Sequence, residues 1–178
     1  MHLEPTLIVL SGLPGSGKSA VAEVLSSDLS LAVFSKDRLE ATLIRSELVQ
    51  YNNDRLGYSG YELLTECAMV MLEAHNSVVL DSVCGRESIR SQWRTLASEK
   101  KADFLVIECI CSDEALHRRR LEGRERNIPG WPELQWDDVL KVRGYFEPWS
   151  EPRLVIDSVE SLAANREKLL AFFTKKSV

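Results

Sequence analysis

Eight consecutive residues restrict this chain more than any other stretch: Gly12-Leu13-Pro14-Gly15-Ser16-Gly17-Lys18-Ser19. They satisfy every position of the phosphate-binding loop pattern G-x-x-x-x-G-K-[ST], which works only between a strand and a helix. Both flanks are present. Leu7-Ile8-Val9-Leu10 is an uninterrupted apolar run, as in a strand buried on both faces, and Ala20 to Leu29 alternates apolar and polar residues at helical spacing. The glycines let the backbone curl until successive N–H groups face inward as an anion nest, and the next helix adds its positive end. In such a loop Lys18 reaches the β- and γ-phosphates, and the Ser19 hydroxyl ligates Mg²⁺.

The 178 residues suit one domain, and 44% hydrophobic residues are enough for a substantial core without disulfides. A formal charge of −5 argues against a general nucleic-acid binder, which carries a basic excess. Met1-His2-Leu3-Glu4-Pro5 has neither the basic start nor the apolar run of a signal peptide, and no stretch approaches the roughly 18 apolar residues of a membrane span. A cytoplasmic location away from membranes is the expectation. Cys67, Cys84, Cys109 and Cys111 lack metal-binding spacing and read as reduced structural thiols.

After the loop, Leu31-Ala32-Val33-Phe34 reads as a second strand that stops at Ser35-Lys36-Asp37-Arg38. Asp37 therefore falls at the carboxyl end of a strand, the edge where open α/β sheets bind ligands. It is a candidate for work on a substrate near the γ-phosphate, with a helix N-cap as the structural alternative. Leu39 to Gln50 reads as a helix, Tyr51 to Gly60 as a polar loop, and Tyr61 to Ala74 as a helix whose apolar stripe belongs to the core. Ser77-Val78-Val79-Leu80-Asp81 is an apolar run ending in an acid, so Asp81 is a second candidate for holding Mg²⁺. A helix near Ser88 to Lys100, a strand from Asp103 to Ile110, a helix from Trp136 to Phe146, a strand at Leu154 to Asp157 and a last helix continue the alternation.

Glu114 to Arg126 is read as a helix in which Arg120 and Arg124 stand four apart on one face. Like charges repel at that spacing. The repulsion is tolerable where an anion comes between them, as in a lid that delivers guanidiniums to a transferring phosphoryl group. The alternative is a solvated charged helix partnered by Glu122 and Glu125. A lid over residues 116–132 is expected, with the break at Asn127 to Pro132 as its return.

Five apolar strands interleaved with helices imply a parallel sheet covered on both faces, a three-layer α/β/α arrangement. With Gly12 to Ser19, Lys36-Asp37-Arg38, Asp81 and the Arg120 to Arg124 segment in these places, the chain resembles P-loop kinases of the zeta-toxin, chloramphenicol phosphotransferase, gluconate kinase and polynucleotide kinase group. The resemblance covers nearly all of residues 1–178. It implies the P-loop NTPase fold with strand order 2-3-1-4-5, ATP with Mg²⁺, and adenine near the lid and the loop after the fifth strand. It also implies Asp37 as the base for an acceptor hydroxyl.

The expected function is a kinase that moves the γ-phosphoryl of ATP to a hydroxyl of a small molecule. Lys18, Asp37, Arg120 and Arg124 are its candidate catalytic residues, Gly12 to Ser19 and Arg120 its nucleotide ligands, and Ser19 and Asp81 its Mg²⁺ ligands. A pocket between the second and third strands and Leu39 to Tyr61 would offer Arg38, Arg45, Arg55, Tyr51 and Tyr58 to the acceptor. A 5′-hydroxyl polynucleotide kinase and a nucleotide-dependent switch or ATPase are the alternatives. Acidity counts against the first, and the absence of a glutamate after Asp81, where Ser82 follows, against the second.

Overall fold

The computed structural model of the protein describes residues 5–51, 53 and 55–176. Residues 1–4, read above for a signal, lie outside these, as do Asn52 and Asp54 of the polar stretch. The apolar runs become β1 (Thr6–Ser11), β2 (Ala32–Ser35), β3 (Val78–Asp81), β4 (Asp103–Ile110) and β5 (Leu154–Asp157). All pair in parallel in the order β2-β3-β1-β4-β5, as the resemblance implies. The helices are α1 (Lys18–Ser27), α2 (Lys36–Arg45), α3 (Leu56–Glu73), α4 (Glu87–Glu99), α5 (Glu114–Glu122), α6 (Trp136–Tyr145) and α7 (Leu162–Lys176). No helix among the described residues is long and apolar enough to cross a membrane.

The continuous apolar strands make sense because each side of the sheet has its own core. Leu7 and Val9 of β1, Val78 and Leu80 of β3 and Val106 of β4 pack under α3 and α4 with Trp93. Ile8, Leu10, Val79, Leu105 and Ile107 point the other way, against Val21, Val24 and Leu25 of α1 and Leu169 of α7. A third, small cluster joins Leu121 of α5 to Trp136 and Val139 of α6 and packs against Leu13 of the loop. Leu10 and Ser35 are both in register with Asp81, so β1, β2 and β3 end level. That common edge is where the loop, Asp37 and Asp81 emerge.

Three helix boundaries differ from the sequence reading. α2 ends at Arg45, not Gln50, where Ser46 caps it through Thr42 O and Glu47 takes a left-handed φ of 57°. α3 begins at Leu56 rather than Tyr61, so Gly57 and Gly60 are helical. Gly60 has a packing cause: a Cβ there would stand 2.4 Å from Glu40 Oε1 of α2, so glycine lets the two helices approach. α5 ends at Glu122, with Gly123 N donating to Arg119 O at 2.9 Å.

Candidate active site

The loop is set by its two ends. Ser11 Oγ donates to Val83 O at 2.8 Å and Gly12 N donates to the same carbonyl at 3.4 Å, which ties the loop's start to the segment after β3. Gly17 is the N-cap of α1 with φ 100°, and a Cβ there would lie 2.9 Å from Ser158 Cβ, so glycine is required both by backbone and by space. No side chain caps α1, and no acid lies in its first turn. Its free N–H groups and positive end are thus open to an anion. Lys18 Nζ donates to Gly12 O at 2.8 Å and Leu13 O at 2.9 Å. It makes no ion pair among the described residues. Burial holds its pKa below the ordinary lysine value, with Asp81 pulling the other way. An incoming phosphate would find this cation without a carboxylate to displace.

Behind the loop stands a residue that sequence reasoning missed. His117 of α5 is 2% exposed, meets Trp136 edge-on at 5.2 Å, and donates from Nε2 to Pro14 O at 2.7 Å. Burial lowers its pKa, so the neutral ring with its proton on Nε2 buttresses the loop. A single histidine in an arginine-rich helix carries no sequence signal for this; only the docking of α5 on the loop creates it.

Lys18, Ser19, Asp37, Asp81, Arg124 and Arg126 line one cleft of about 530 Å³ at the sheet edge. Asp37 is the second residue of α2, and Ser35, not Asp37, is the N-cap. Its carboxylate pairs with Arg126 Nη1. Burial raises the pKa of Asp81, and Lys18 only partly offsets this. Ser19 and Asp81 also share the wall of a second cleft of about 490 Å³, which Arg124 and Arg126 line as well. A hydroxyl and a buried carboxylate without a contact-range cation offer hard oxygen donors, which fits Mg²⁺ held mainly by water and phosphate.

The arginines fall differently from their sequence pattern. Because α5 stops at Glu122, Arg120 and Arg124 do not share a helical face. Arg120 Nη1 donates to Ser158 O at 2.6 Å, beside the loop after β5, and is absent from the cleft wall. Arg124 and Arg126 enter the cleft instead. Arg124 has its pKa lowered, first by burial and then by the like charge of Arg126. The mutual repulsion expected of Arg120 and Arg124 is therefore found between Arg124 and Arg126, which sequence spacing did not single out. The segment carrying them is docked on α2, where Arg45 Nη1 donates to Pro129 O at 2.6 Å.

The far half of the cleft is also partly unforeseen. Tyr51 lines it, as expected, but Arg38 faces the second cleft, and Arg45, Arg55 and Tyr58 line neither. The opposite wall comes from Trp131, Leu134, Asp138, Lys141, Val142 and Tyr145. This wall is anchored through Arg90, a fully buried guanidinium on α4. It donates to Cys84 O, Glu147 O and Pro148 O and stacks on Trp149 at 3.8 Å. Trp149 Nε1 in turn donates to Ser11 Oγ at 3.2 Å, joining the wall's anchor to the start of the loop.

A family model described as an AAA domain matches residues 7–145. Among solved structures, a gluconokinase from Sinorhizobium meliloti superposes with a TM-score of 0.70 at 20% identity, over 96% of this chain and 93% of that one. A sugar kinase from Janibacter sp. gives 0.68 at 15% identity, over 96% and 95%. An APS kinase from Mycobacterium tuberculosis, in complex with AMPPNP and APS, gives 0.68 at 16% identity, over 96% and 98%. These likenesses show a shared P-loop kinase fold.

Proposed function

The chain belongs to the AAA domain family, and on that premise we propose that it is an ATP-dependent kinase which phosphorylates a hydroxyl of a small molecule. One observation carries the reading. Lys18, Asp37, Asp81 and two lid guanidiniums face a single cleft that extends well beyond the phosphate loop, leaving room for a second substrate.

In this reading the loop N–H groups and Lys18 hold the β- and γ-phosphates, and Ser19 and Asp81 would hold Mg²⁺. When bound, that ion neutralises charge on the phosphate oxygens. Arg124 and Arg126 neutralise the phosphoryl group in flight, and their crowding is relieved as it arrives. Arg126 leaves Asp37 for the phosphate, which frees the carboxylate at the moment a base is needed. The acceptor oxygen then bonds to the γ-phosphorus as the bond to the β-phosphate oxygen breaks. ADP departs, and Asp37 takes the hydroxyl proton. Arg120, at Ser158, belongs with the nucleoside end rather than with the transferring group.

The test incubates the protein with γ-labelled ATP and a protein-free metabolite extract. Wild type is expected to give a labelled small molecule, and a folded Lys18→Ala variant none, with ATP affinity lost in calorimetry. Unchanged ATP affinity in the folded variant would overturn the nucleotide site.

A further inference from the structure

We infer that the acceptor is an uncharged, hydroxyl-bearing ring of sugar or cyclitol type, and that the far half of the cleft excludes anionic acceptors. The inference rests on the kinase reading above and deepens it.

Charge pairing is the first ground. Five cations line the cleft among the described residues: Lys18, Lys36, Arg124, Arg126 and Lys141. Lys18 and Arg124 make no ion pair among the described residues and serve the triphosphate. Each of the other three already faces its own carboxylate. Lys36 pairs with Glu40, Arg126 with Asp37, and Lys141 with Asp138 at 3.3 Å. Burial differs along this series. Glu40 and Lys36 have side chains only 2% and 13% exposed, whereas Lys141, at 76%, stands at the rim. A carboxylate or phosphate on the acceptor that reached Lys36 would have to break a buried pair and leave Glu40 uncompensated. When Arg126 moves to the phosphoryl group, Asp37 is left bare, and this end of the cleft becomes more repulsive to an anion.

Arg45 is spent on Pro129 O and Thr42 Oγ1, and Arg86 lies over the Tyr145 ring at 4.7 Å; neither lines the cleft.

The walls are the second ground. Tyr51 and Trp131 meet edge-on at 5.4 Å, Tyr145 of α6 adds a third ring to the cleft, and Leu56, Leu134 and Val142 line it as well. Aromatic faces take the C–H faces of a ring, while paired ammonium and carboxylate groups give and accept hydrogen bonds without selecting a charge. Trp131 Nε1 is buried with no hydrogen-bond partner among the described residues, so this part of the wall holds an unspent donor.

The experiment splits the metabolite extract on anion and cation exchangers and offers each fraction to the protein with γ-labelled ATP. Label is expected from the fraction that passes both columns. Label only from the anion-exchange or cation-exchange eluate overturns the inference while leaving the kinase reading intact. No label from any fraction, with ATP binding measured in parallel, overturns the kinase reading itself. With the active fraction in hand, Tyr145→Ala and Trp131→Ala should each raise KM for the acceptor by about tenfold or more with KM for ATP within about twofold. Unchanged acceptor KM in both folded variants overturns the assignment of the aromatic walls.

Discussion

Replacing Asp37 by Asn removes a base while keeping the size and polarity of the side chain. Ser35 is the N-cap of α2, so the substitution costs no capping bond. The ion pair with Arg126 joins a side chain 30% exposed to one 14% exposed. Solvent screening limits such a pair to about 1 kcal/mol, and losing a negative charge in the first turn of a helix adds about 0.3–1 kcal/mol. The total, at most about 2 kcal/mol, corresponds to a Tm lowered by roughly 4–8 °C for a chain of this size. Transfer should fall much further, by about 10²- to 10⁴-fold for the loss of a positioned proton acceptor. That is about 3–5 kcal/mol on the barrier. ATP affinity should hold or rise, because Arg126 no longer has a carboxylate to leave. Calorimetric ATP affinity, a thermal melt and transfer to the active metabolite fraction measure the three quantities on one preparation. Equal transfer by the Asn variant would refute the base, and loss of ATP binding would move Asp37 into the metal shell.

Asp81→Asn should stabilise the ligand-free protein at neutral pH, because burial raises the Asp81 pKa and the folded state then resists its charge. An acid bound more tightly to its proton in the folded state loses stability as pH rises from its ordinary value, 3.8, through the raised one. The gain should therefore vanish in melts below about pH 4, and a variant less stable than wild type at pH 7 would contradict this. Arg90→Leu strips hydrogen-bond donors from three carbonyls. It should cost about 3 kcal/mol or more, read as a denaturant midpoint shift; a loss under about 1 kcal/mol would show that the anchor is dispensable.

The strand–loop–helix unit, the β/α alternation and the edge positions of Asp37 and Asp81 were legible because each depends on local pattern. Buried strands need apolar runs, and a phosphate nest needs its glycines and lysine in one continuous piece. Gly57 and Gly60 show where local pattern misleads. Beside Tyr51 and Asn53 they read as loop, yet Gly60 is glycine because Glu40 of another helix fills the space of its side chain.

The sequence by itself therefore determined the fold and the loop that forms one end of the cleft, since both are written in contiguous residues. Tertiary structure alone decided the rest. Beyond α5, which stops at Glu122 and so parts Arg124 from Arg120, it brought Arg126 to Asp37 across a long separation in the chain. It set His117 on Pro14 O, Arg90 under the far wall, and the Lys36–Glu40 and Lys141–Asp138 pairs on the wall of the cleft. Lys36 with Glu40 and Lys141 with Asp138 are neighbours on one helix turn, but whether they face a cleft depends on how the helices dock. Docking is fixed by which surfaces exclude water together, a property of the assembled core that no local stretch encodes.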